Sequence, residues 1–316
     1  MNIEFYSEDR LTIWDNFVGT SHKATFLHSR HFLSYHKSRF IDRSVMVYEE
    51  NKLLAVLPAA EAPNNDKQVI SHVGATYGGL ISDPSVYGEK TIEILRAIVD
   101  FYKDNGYESL IYKCTPSVYQ ATNDEDDIYA LFRMNANLDR VDINAIIDKD
   151  ARLKVSNQRK RCYKKAVKAS LEVNYDFENI EGFYNILLSN LASKHGAEPV
   201  HTLDEIRNLH RRFPDKIALW SVLDADRKVI AGVLFFFINH TMHAQYITSS
   251  PSGYDLGALD FLFENAVSFI QKQEKLRYLA FGTSNEDQGK VLNQTLYRFK
   301  RQFGAGSVSH KFYSLV

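Results

Sequence analysis

An internal repeat divides this chain of 316 residues into two similar halves. Tyr77 lies 11 residues before a glycine and 33 before Leu110, and Tyr246 lies 11 residues before another glycine and 33 before Leu279. A repeat of this size indicates a duplicated structural unit, and the length of the chain fits about two domains. The sequence therefore predicts two related domains.

Two matching pairs of apolar segments support the duplication. Residues 44–49 and 52–60 form one pair, and residues 217–223 and 228–236 form the other. Each pair is joined by a short stretch rich in Asn, Asp, Glu, Arg and Lys, which is typical of the turn in a β-hairpin. Each copy is thus expected to contain a hairpin at a corresponding position.

Both copies continue with a loop, an amphipathic stretch and a short apolar strand. The amphipathic stretches are residues 92–102 and 259–270, where apolar residues recur with helical spacing. In the second copy, the same kind of pattern predicts helices at 180–194, 203–212 and 291–301 and a last strand at 308–315.

The order of these elements indicates the fold. Two helices, three antiparallel strands, a helix, a strand, a helix and a strand follow one another in the second copy, which is the order of the GNAT fold. We predict an α+β protein of two tandem GNAT-like domains, residues 1–149 and 150–316, each with a mixed, mostly antiparallel sheet flanked by helices. Residues 151–170 contain eight Lys or Arg and no Asp or Glu, and this segment is predicted to be a basic helix that joins the copies.

Composition limits the classes of function. A net charge of -1 gives the whole molecule no electrostatic footprint for nucleic acid or a membrane surface. No signal peptide or membrane-spanning run is evident, and Cys114 and Cys162 form no CxxC pair, so we expect a cytoplasmic protein without membrane insertion. Two pairs of histidines lack a carboxylate or cysteine to complete a metal site, so no metal is expected. Whether the protein forms a homodimer stays an open question.

Several motifs resemble a known family. The sequence GTSNE at 282–286, followed by LN at 292–293, FK at 299–300 and FG at 303–304, resembles the C-terminal signature of the family that joins Fem-type peptidoglycan bridge-forming transferases to shorter double-GNAT N-acetyltransferases. Segments 25–29, 71–80 and 164–166 resemble its other signatures. The resemblance covers nearly the whole chain.

The resemblance implies acyl transfer to a primary amine. The larger members take the acyl group from aminoacyl-tRNA and carry a helical-hairpin insertion for which this sequence has no room. It is therefore more similar to the shorter branch, which uses acetyl-CoA, in some cases on nucleotide-linked amino sugars of surface polysaccharides such as lipopolysaccharide or capsule. Fem-like transfer from aminoacyl-tRNA and a non-catalytic GNAT-like binding module remain as alternatives.

The site for acetyl-CoA is expected in the second copy. In a GNAT fold the pyrophosphate rests on backbone N–H groups where the loop after the third meander strand enters a helix. Small residues in that loop allow close approach of the backbone, whereas Asp255 would repel the pyrophosphate unless it caps the helix. The candidate residues for binding acetyl-CoA are Thr248, Ser249, Ser250, Gly253, Tyr254 and Gly257.

Acyl transfer also needs a neutral amine, a donor for the oxyanion and a proton for the leaving thiolate. Tyr297 lies near the position where many GNAT enzymes have a tyrosine that protonates the thiolate. Glu286, with Asn293, is one candidate for holding or deprotonating the amine, and His72 is the other candidate base. Lys300 is expected to contact a phosphate or carboxylate of the acceptor.

The acceptor is expected to be a small molecule with phosphate groups. Helical spacing places Lys154, Arg161, Lys165 and Lys168 on one stripe of the basic helix, where they could hold the phosphates of a nucleotide-linked amino sugar. A solvated helix face is the alternative. The remaining candidates for binding substrate are Tyr77, Tyr246 and Ser284.

Overall fold

The computed structural model describes residues 1–195 and 198–315, without the side chains of residues 194 and 195. The chain forms two compact units. The first unit contains Met1–Asp142, Asp287–Lys290 and Ser309–Val316, and the second contains Ile143–Glu286 and Val291–Val308. A division into domains at residues 149 and 150 stays a prediction.

The first unit contains most of the shorter elements. Its strands and helices, in chain order, are β1 (Asn2–Phe5), α1 (Leu11–Thr20), α2 (Arg30–Leu33), β2 (Val45–Glu49), β3 (Lys52–Leu57), β4 (Ala60–Ala62), β5 (Asn65–Ser71), β6 (Ile81–Ser82), α3 (Glu89–Asp104), β7 (Ser109–Lys113), α4 (Asp126–Arg133) and the beginning of β8 (Asn137–Asp148). The end of the last strand, β16 (Gly306–Leu315), also belongs to this unit.

The strands of the first unit form two groups. Strands β1, β2, β3 and β6 pair in that order, all antiparallel. Strand β5 pairs antiparallel with β4 and parallel with β7, and β7 pairs antiparallel with the end of β16. The hairpin predicted at 44–60 is confirmed as β2 and β3. The strands that follow it are divided between the two groups, because β6 joins β3 whereas β4 and β5 pair with each other. Tyr77 consequently lies in a loop, whereas its counterpart Tyr246 lies on a strand.

The second unit contains the remaining elements. They are the end of β8, α5 (Asn157–Lys168), β9 (Glu172–Asn174), α6 (Ile180–His195), α7 (Leu203–Arg212), β10 (Ile217–Leu223), β11 (Val229–Ile238), β12 (Thr241–Ser249), α8 (Pro251–Leu256), α9 (Ala258–Lys272), β13 (Tyr278–Thr283), β14 (Asn285–Glu286), β15 (Val291–Leu292), α10 (Gln294–Arg301) and the beginning of β16.

The sheet of the second unit has the order β8, β13, β12, β11, β10, β9. Every pair is antiparallel except β12 and β13, which are parallel and connected through α8 and α9. Helix α9 packs on this sheet because its apolar residues recur every three or four positions and so share one face. Each large apolar side chain buried there contributes roughly 1.5–3 kcal/mol of hydrophobic stabilisation, and the buried ones are Leu259, Leu262, Phe263, Val267 and Ile270.

The structure confirms the predicted fold class: both units have mixed sheets flanked by helices. The predicted hairpin at 217–236 and the helices at 92–102, 180–194, 203–212 and 259–270 are present with small changes at their ends. The helix expected at 291–301 begins only at Gln294, because Asn293 is its N-cap and residues 291–292 form β15.

Candidate active site

Strands β12 and β13 pair over only part of their length. Thr241 to His243 pair with Tyr278 to Ala280, and then β12 continues to residue 249 and β13 to residue 283 without further pairs between them. The register of β11 and β12 also shifts, since Leu234 pairs with Tyr246 and Phe235 with Ala244. A residue inserted in this way bends a strand, and such bulges are frequent beside active sites. The parallel strands therefore stop pairing after His243 and Ala280 and diverge from there.

The loop after β12 is shorter than predicted. Thr248 and Ser249 end the strand, and Ser250 is the N-cap of α8, where its Oγ accepts the N–H of Gly253 at 3.1 Å. The N–H of Ser250 donates to Ile230 O, and Pro251 has no N–H. Of the amide groups that were expected to hold a pyrophosphate, those of Ser250 and Gly253 are therefore already bonded, and Pro251 has none.

Both glycines of this connection are required by packing. A Cβ on Gly253 would lie 2.3 Å from Ile230 O, and a Cβ on Gly257 would lie 2.5 Å from Cys162 O. Gly257 also has φ +73, the left-handed conformation that ends α8. The close contacts alone explain glycine at the two positions, so a role of either residue in binding acetyl-CoA stays a prediction.

Asp255 does not cap a helix. It lies within α8 and is exposed, whereas Ser250 caps α8 and Gly257 precedes α9. The condition under which Asp255 would not repel a pyrophosphate is therefore not met, because the short helix α8 places the capping position five residues earlier in the chain. Its carboxylate stays at the surface, as does the side chain of Tyr254.

Lys300 is on α10, and its side chain reaches the end of β13. Its Nζ donates to Gly282 O at 3.2 Å and to Thr283 O at 2.6 Å, and the residue is only 4% exposed. Burial lowers the pKa of Lys300 to about 7, so the amine is partly neutral at neutral pH. It was expected to contact a ligand from the end of the helix, and its amine instead bonds to the backbone of Gly282 and Thr283, the first two residues of the GTSNE segment.

Two further polar residues are buried in this part of the second unit. The pKa of His243 is lowered to about 4 by burial and then by the charge of Lys300, so its ring is neutral at neutral pH. Ser284 is 2% exposed, and its Oγ has no hydrogen-bond partner in the part of the chain that the structure describes. A buried hydroxyl without a partner is uncommon in a folded protein and is a candidate contact for a ligand.

Glu286 and Asn293 are connected by a hydrogen bond of 2.7 Å from Asn293 Nδ2 to Glu286 Oε1. Asn293 also caps α10, because its Oδ1 accepts the N–H of Leu296 at 2.9 Å. Glu286 lies on β14 and is exposed rather than buried. The two residues therefore lie together, and the contacts of Asn293 give it a structural role at the beginning of α10. Tyr297 is half-buried on α10 and packs against the core of the second unit.

The middle of β12 presents a second polar cluster. His201 Nδ1 and Tyr246 Oη are 2.7 Å apart, and burial raises the pKa of Tyr246 to about 12. Asn190 on α6 donates from Nδ2 to Thr248 Oγ1 at 2.8 Å and to Ser249 O at 2.9 Å. Sequence reasoning did not select His201 or Asn190, since each depends on contact with strand β12, which lies about 45 to 58 residues later in the chain.

The basic helix is shorter than its basic segment. Helix α5 begins at Asn157, so Lys154 is not part of the predicted stripe. Arg161, Lys165 and Lys168 are on the helix and exposed, and the structure gives them no ion pair with any described residue. Other cations of the segment do have partners, because Arg152 pairs with Glu264 and Arg159 with Asp260 of α9.

His72 and Tyr77 belong to the first unit. His72 is buried, and burial, followed by the nearby His36 and Lys113, holds its pKa well below the usual value. Its Nδ1 accepts the N–H of Gly74 at 3.2 Å. Tyr77 is 1% exposed and donates to Thr25 Oγ1 at 3.2 Å, so its hydroxyl has a structural partner. Their predicted roles in catalysis and substrate binding stay predictions.

No helix of the described residues is long and apolar enough to cross a membrane. Among those same residues, no group of three or more His, Cys, Asp or Glu side chains is arranged to hold a metal ion.

Comparisons with known proteins agree with this geometry. Residues 149–301 match the family described as acetyltransferase (GNAT) domain. No curated protein matches the sequence. Among solved structures, the crystal structure of FemX is similar over 98% of this chain and 97% of that chain, with 11% identity and a TM-score of 0.67. The structure of L-PGS from Bacillus licheniformis is similar over 98% of this chain and 92% of that one, with 11% identity and a TM-score of 0.62.

A tandem GNAT protein from the clavulanic acid biosynthesis pathway is also similar, with 10% identity and a TM-score of 0.52 over 99% of this chain and 98% of that one. At such low identities the similarity concerns the fold. The diverging strands β12 and β13 and the helix α10 lie within the matched residues. Strand β16 follows them along the chain. The second unit therefore has a GNAT-like fold, and the complete chain is similar in fold to FemX and to a tandem GNAT protein.

Proposed function

We propose that the protein is an N-acyltransferase that moves an acetyl group from acetyl-CoA to a primary amine. The observation that carries this proposal is the divergence of β12 and β13 after His243 and Ala280. Strands that separate in this way leave backbone N–H and C=O groups free to bond an extended acyl donor between them. The same part of the second unit contains Lys300 and Ser284, two polar residues that are buried near the end of β13.

The chemistry requires one bond to form and one to break. The neutral amine attacks the thioester carbonyl, an N–C bond forms, the C–S bond breaks, and CoA leaves as a thiolate. The proton lost by the amine passes to a base, for which Glu286 and His72 remain the candidates, and Tyr297 supplies a proton to the thiolate. Lys300, held on Gly282 and Thr283, is a cationic donor available near the reacting strands when it is protonated.

The acceptor that we propose is a nucleotide-linked amino deoxysugar used for surface polysaccharide. The support for it is the exposed row of Arg161, Lys165 and Lys168 on α5, which has no ion-pair partner among the described residues. Guanidinium and ammonium groups of this kind bind phosphate oxygens through charge-assisted hydrogen bonds. A diphosphate linkage would provide the complementary charge.

A second candidate is Fem-like transfer from aminoacyl-tRNA. The beginning of α8 favours it, because Ser250 Oγ already occupies the N–H of Gly253 and Pro251 has none to offer a CoA pyrophosphate. In that reaction the bond that breaks is an ester of the tRNA ribose, and no thiol is released.

The test is to incubate the purified protein with acetyl-CoA and thymidine or uridine diphosphate 3-amino or 4-amino deoxysugars. We expect release of the CoA thiol, measured with a thiol reagent, and an acetylated product, measured by mass spectrometry. Tyr297→Phe should lower turnover by about 100-fold or more, whereas Tyr175→Phe, at an exposed position of the same unit, should not. If labelled amino acid from aminoacyl-tRNA is transferred while acetyl-CoA is not used, the second candidate is correct. If neither donor binds in a calorimetric titration, the protein is a non-catalytic module.

A further inference from the structure

Helix α5 carries more cations than the proposed acceptor needs. Its 12 residues include six Lys or Arg and no Asp or Glu. One of the six, Arg159, pairs with Asp260 of α9 at 3.1 Å, and the structure gives the other five no ion pair with any described residue. A nucleotide-linked sugar brings the charge of one diphosphate, for which the row of three cations proposed above is sufficient. Two further cations, Lys160 and Lys164, are left without a function.

The packing of α5 determines which of its sides meets the solvent. Ala166 is buried, and the ring of Tyr163 is stacked on that of Phe261 with centroids 6.0 Å apart. Arg159 lies on the same side, where it reaches Asp260. At about 100° of turn per residue, the other five cations lie within roughly 140° on the opposite side. All five are exposed, and together they form the basic face of α5: Lys160, Arg161, Lys164, Lys165 and Lys168.

The basic face is extended and has one sign of charge. It runs from Lys160 to Lys168, which is about 12 Å of helix at about 1.5 Å per residue. Like charges three and four residues apart on a helix repel each other, and no carboxylate within α5 relieves the repulsion. One diphosphate meets only part of this length, whereas an extended array of negative charges meets all of it. The face therefore fits a polyanionic partner.

The rest of the chain carries the opposite charge. The whole chain has a net charge of -1, although α5 contains six cations and no anion, so the other residues are acidic on balance. The small net charge conceals this asymmetry. A negatively charged surface attracts the basic face and repels the remainder of the molecule, so it would also orient the protein.

Three features favour a lipid surface over a nucleic acid. Four of the five cations are lysines, which act as point charges, whereas the two-pronged arginine is the residue of choice for nucleic acid. Tyr163 is the one aromatic residue in the sequence of α5, and its ring is already stacked on Phe261 rather than free for a base. Val167 is 49% exposed, and it continues the row of Lys160 and Lys164. An apolar side chain in such a row suits the headgroup region of a bilayer.

We propose that the basic face of α5 is a docking surface for a membrane that contains anionic lipid. The lysines contact headgroup phosphates, Val167 lies at the level of the headgroups, and the protein stays peripheral. Clusters of about four to eight Lys or Arg on a helix are typical of proteins that bind anionic lipid. The row of Lys160, Lys164 and Val167 lies beside the row assigned to the acceptor. The proposal goes beyond the acyl transfer and does not depend on it.

The test is co-sedimentation of the full chain with vesicles of phosphatidylcholine, either alone or mixed with phosphatidylglycerol. We expect binding to the mixed vesicles, little to the neutral ones, and weaker binding as salt is added, because exposed charges are screened. Lys160→Gln combined with Lys164→Gln should lower the partition coefficient by about 10-fold or more. The matched control, Lys272→Gln combined with Lys275→Gln, removes two exposed cations of the same unit outside the basic face and should leave binding unchanged.

The same variants separate this proposal from the acyl transfer. Lys160 and Lys164 lie outside the row assigned to the acceptor, so transfer to a dissolved acceptor should be unchanged while vesicle binding is lost. Vesicle binding needs neither acetyl-CoA nor an acceptor, so failure of the acyl-transfer assay does not affect it. Circular dichroism checks the fold of the double variant, and Gln has nearly the helix propensity of Lys.

Two results with vesicles would overturn the proposal. One is absence of binding of the wild type to phosphatidylglycerol vesicles at low salt, and the other is equal binding by the wild type and the folded double variant. A third result would also overturn it, namely binding of RNA or duplex DNA that the double variant weakens, in a protein that does not bind the vesicles. The polyanion would then be a nucleic acid.

Discussion

At the scale of single residues, Lys300 shows how burial changes the chemistry of a side chain. Its place in the sequence, near the end of a predicted helix, indicated a cation facing a ligand. The structure buries it and gives its Nζ two carbonyl acceptors, Gly282 O and Thr283 O, with a pKa of about 7. The lowered pKa means that the folded protein releases a proton that the unfolded chain still holds.

This difference predicts a pH dependence of stability. Between about pH 7 and the ordinary lysine pKa of 10.5, the unfolded state binds more protons than the folded state at Lys300. The free energy of unfolding should therefore rise with pH in this window, by at most about 1.4 kcal/mol per pH unit from this group. Urea denaturation at pH 7, 8, 9 and 10 should give a smaller rise for Lys300→Met than for the wild type.

The exposed Lys165 provides the control for this measurement. Lys165→Met should follow the wild-type curve, because the side chain is solvated in both states. Lys113 also has a pKa lowered to about 7 by burial, so some rise should remain in Lys300→Met. Parallel curves for the wild type and Lys300→Met would contradict the assignment of a neutral, buried amine.

At the scale of elements, the connection from β12 to α9 is determined by close packing. Helix α8 ends at Gly257, whose left-handed φ and contact with Cys162 O join the short helix to α9. Gly257 is also a candidate residue for binding acetyl-CoA, so a substitution at this position would be a natural test of phosphate binding. Because any side chain here meets the backbone of α5, the same substitution reports first on folding.

We therefore expect Gly257→Ala to lower the free energy of unfolding by roughly 1–3 kcal/mol or more, with or without acetyl-CoA. The reason is a Cβ placed 2.5 Å from Cys162 O in a backbone conformation that disfavours alanine. Gly19→Ala is the matched control, since no atom lies within 4 Å of its Cβ and it is inside α1. That change should raise stability by about 0.5–1 kcal/mol. Equal effects of the two substitutions in chemical denaturation would show that packing at Gly257 is not limiting.

At the scale of the whole molecule, the basic segment stands out from a chain with a net charge of -1. Only the cations on α5 that lack ion pairs with described residues are available for a ligand, since Arg159 of α5 and Arg152, which precedes α5, pair with carboxylates of α9. If the acceptor carries phosphate groups, contacts that are equal in the ground and transition states should act on binding.

Arg161→Ala should accordingly raise the KM for the nucleotide-linked acceptor more than it lowers kcat, by about 10-fold to 150-fold in kcat/KM. Increasing salt should reduce the difference between the variant and the wild type, because exposed charges are screened. Lys154→Ala is the control outside the helix and should have the smaller effect. Steady-state kinetics at two salt concentrations, with the free sugar as a second acceptor, provide the measurement. Equal use of the free sugar, or no response of KM to the substitution, would contradict the proposal that Arg161, Lys165 and Lys168 bind the phosphates of the acceptor.

The sequence alone determined the elements that repeat a regular pattern. Periodic apolar residues predicted α3, α6, α7 and α9, and the hairpin spacing predicted β2 with β3 and β10 with β11, because burial of one face selects the period of a helix or a strand. The family-like segment GTSNE indicated the end of β13, where Lys300 and Ser284 are buried.

Only the tertiary structure decided which polar groups have partners. Backbone carbonyls of Gly282 and Thr283 bind Lys300, Ser250 occupies the amide of Gly253, and Asp260 pairs with Arg159 while the other cations of α5 have no ion pair with a described residue. Hydrogen-bond partners and burial depend on residues far apart in the chain, and a local pattern carries no information about them. The division of the strands of the first unit into two groups has the same origin, since strand pairing is a non-local contact.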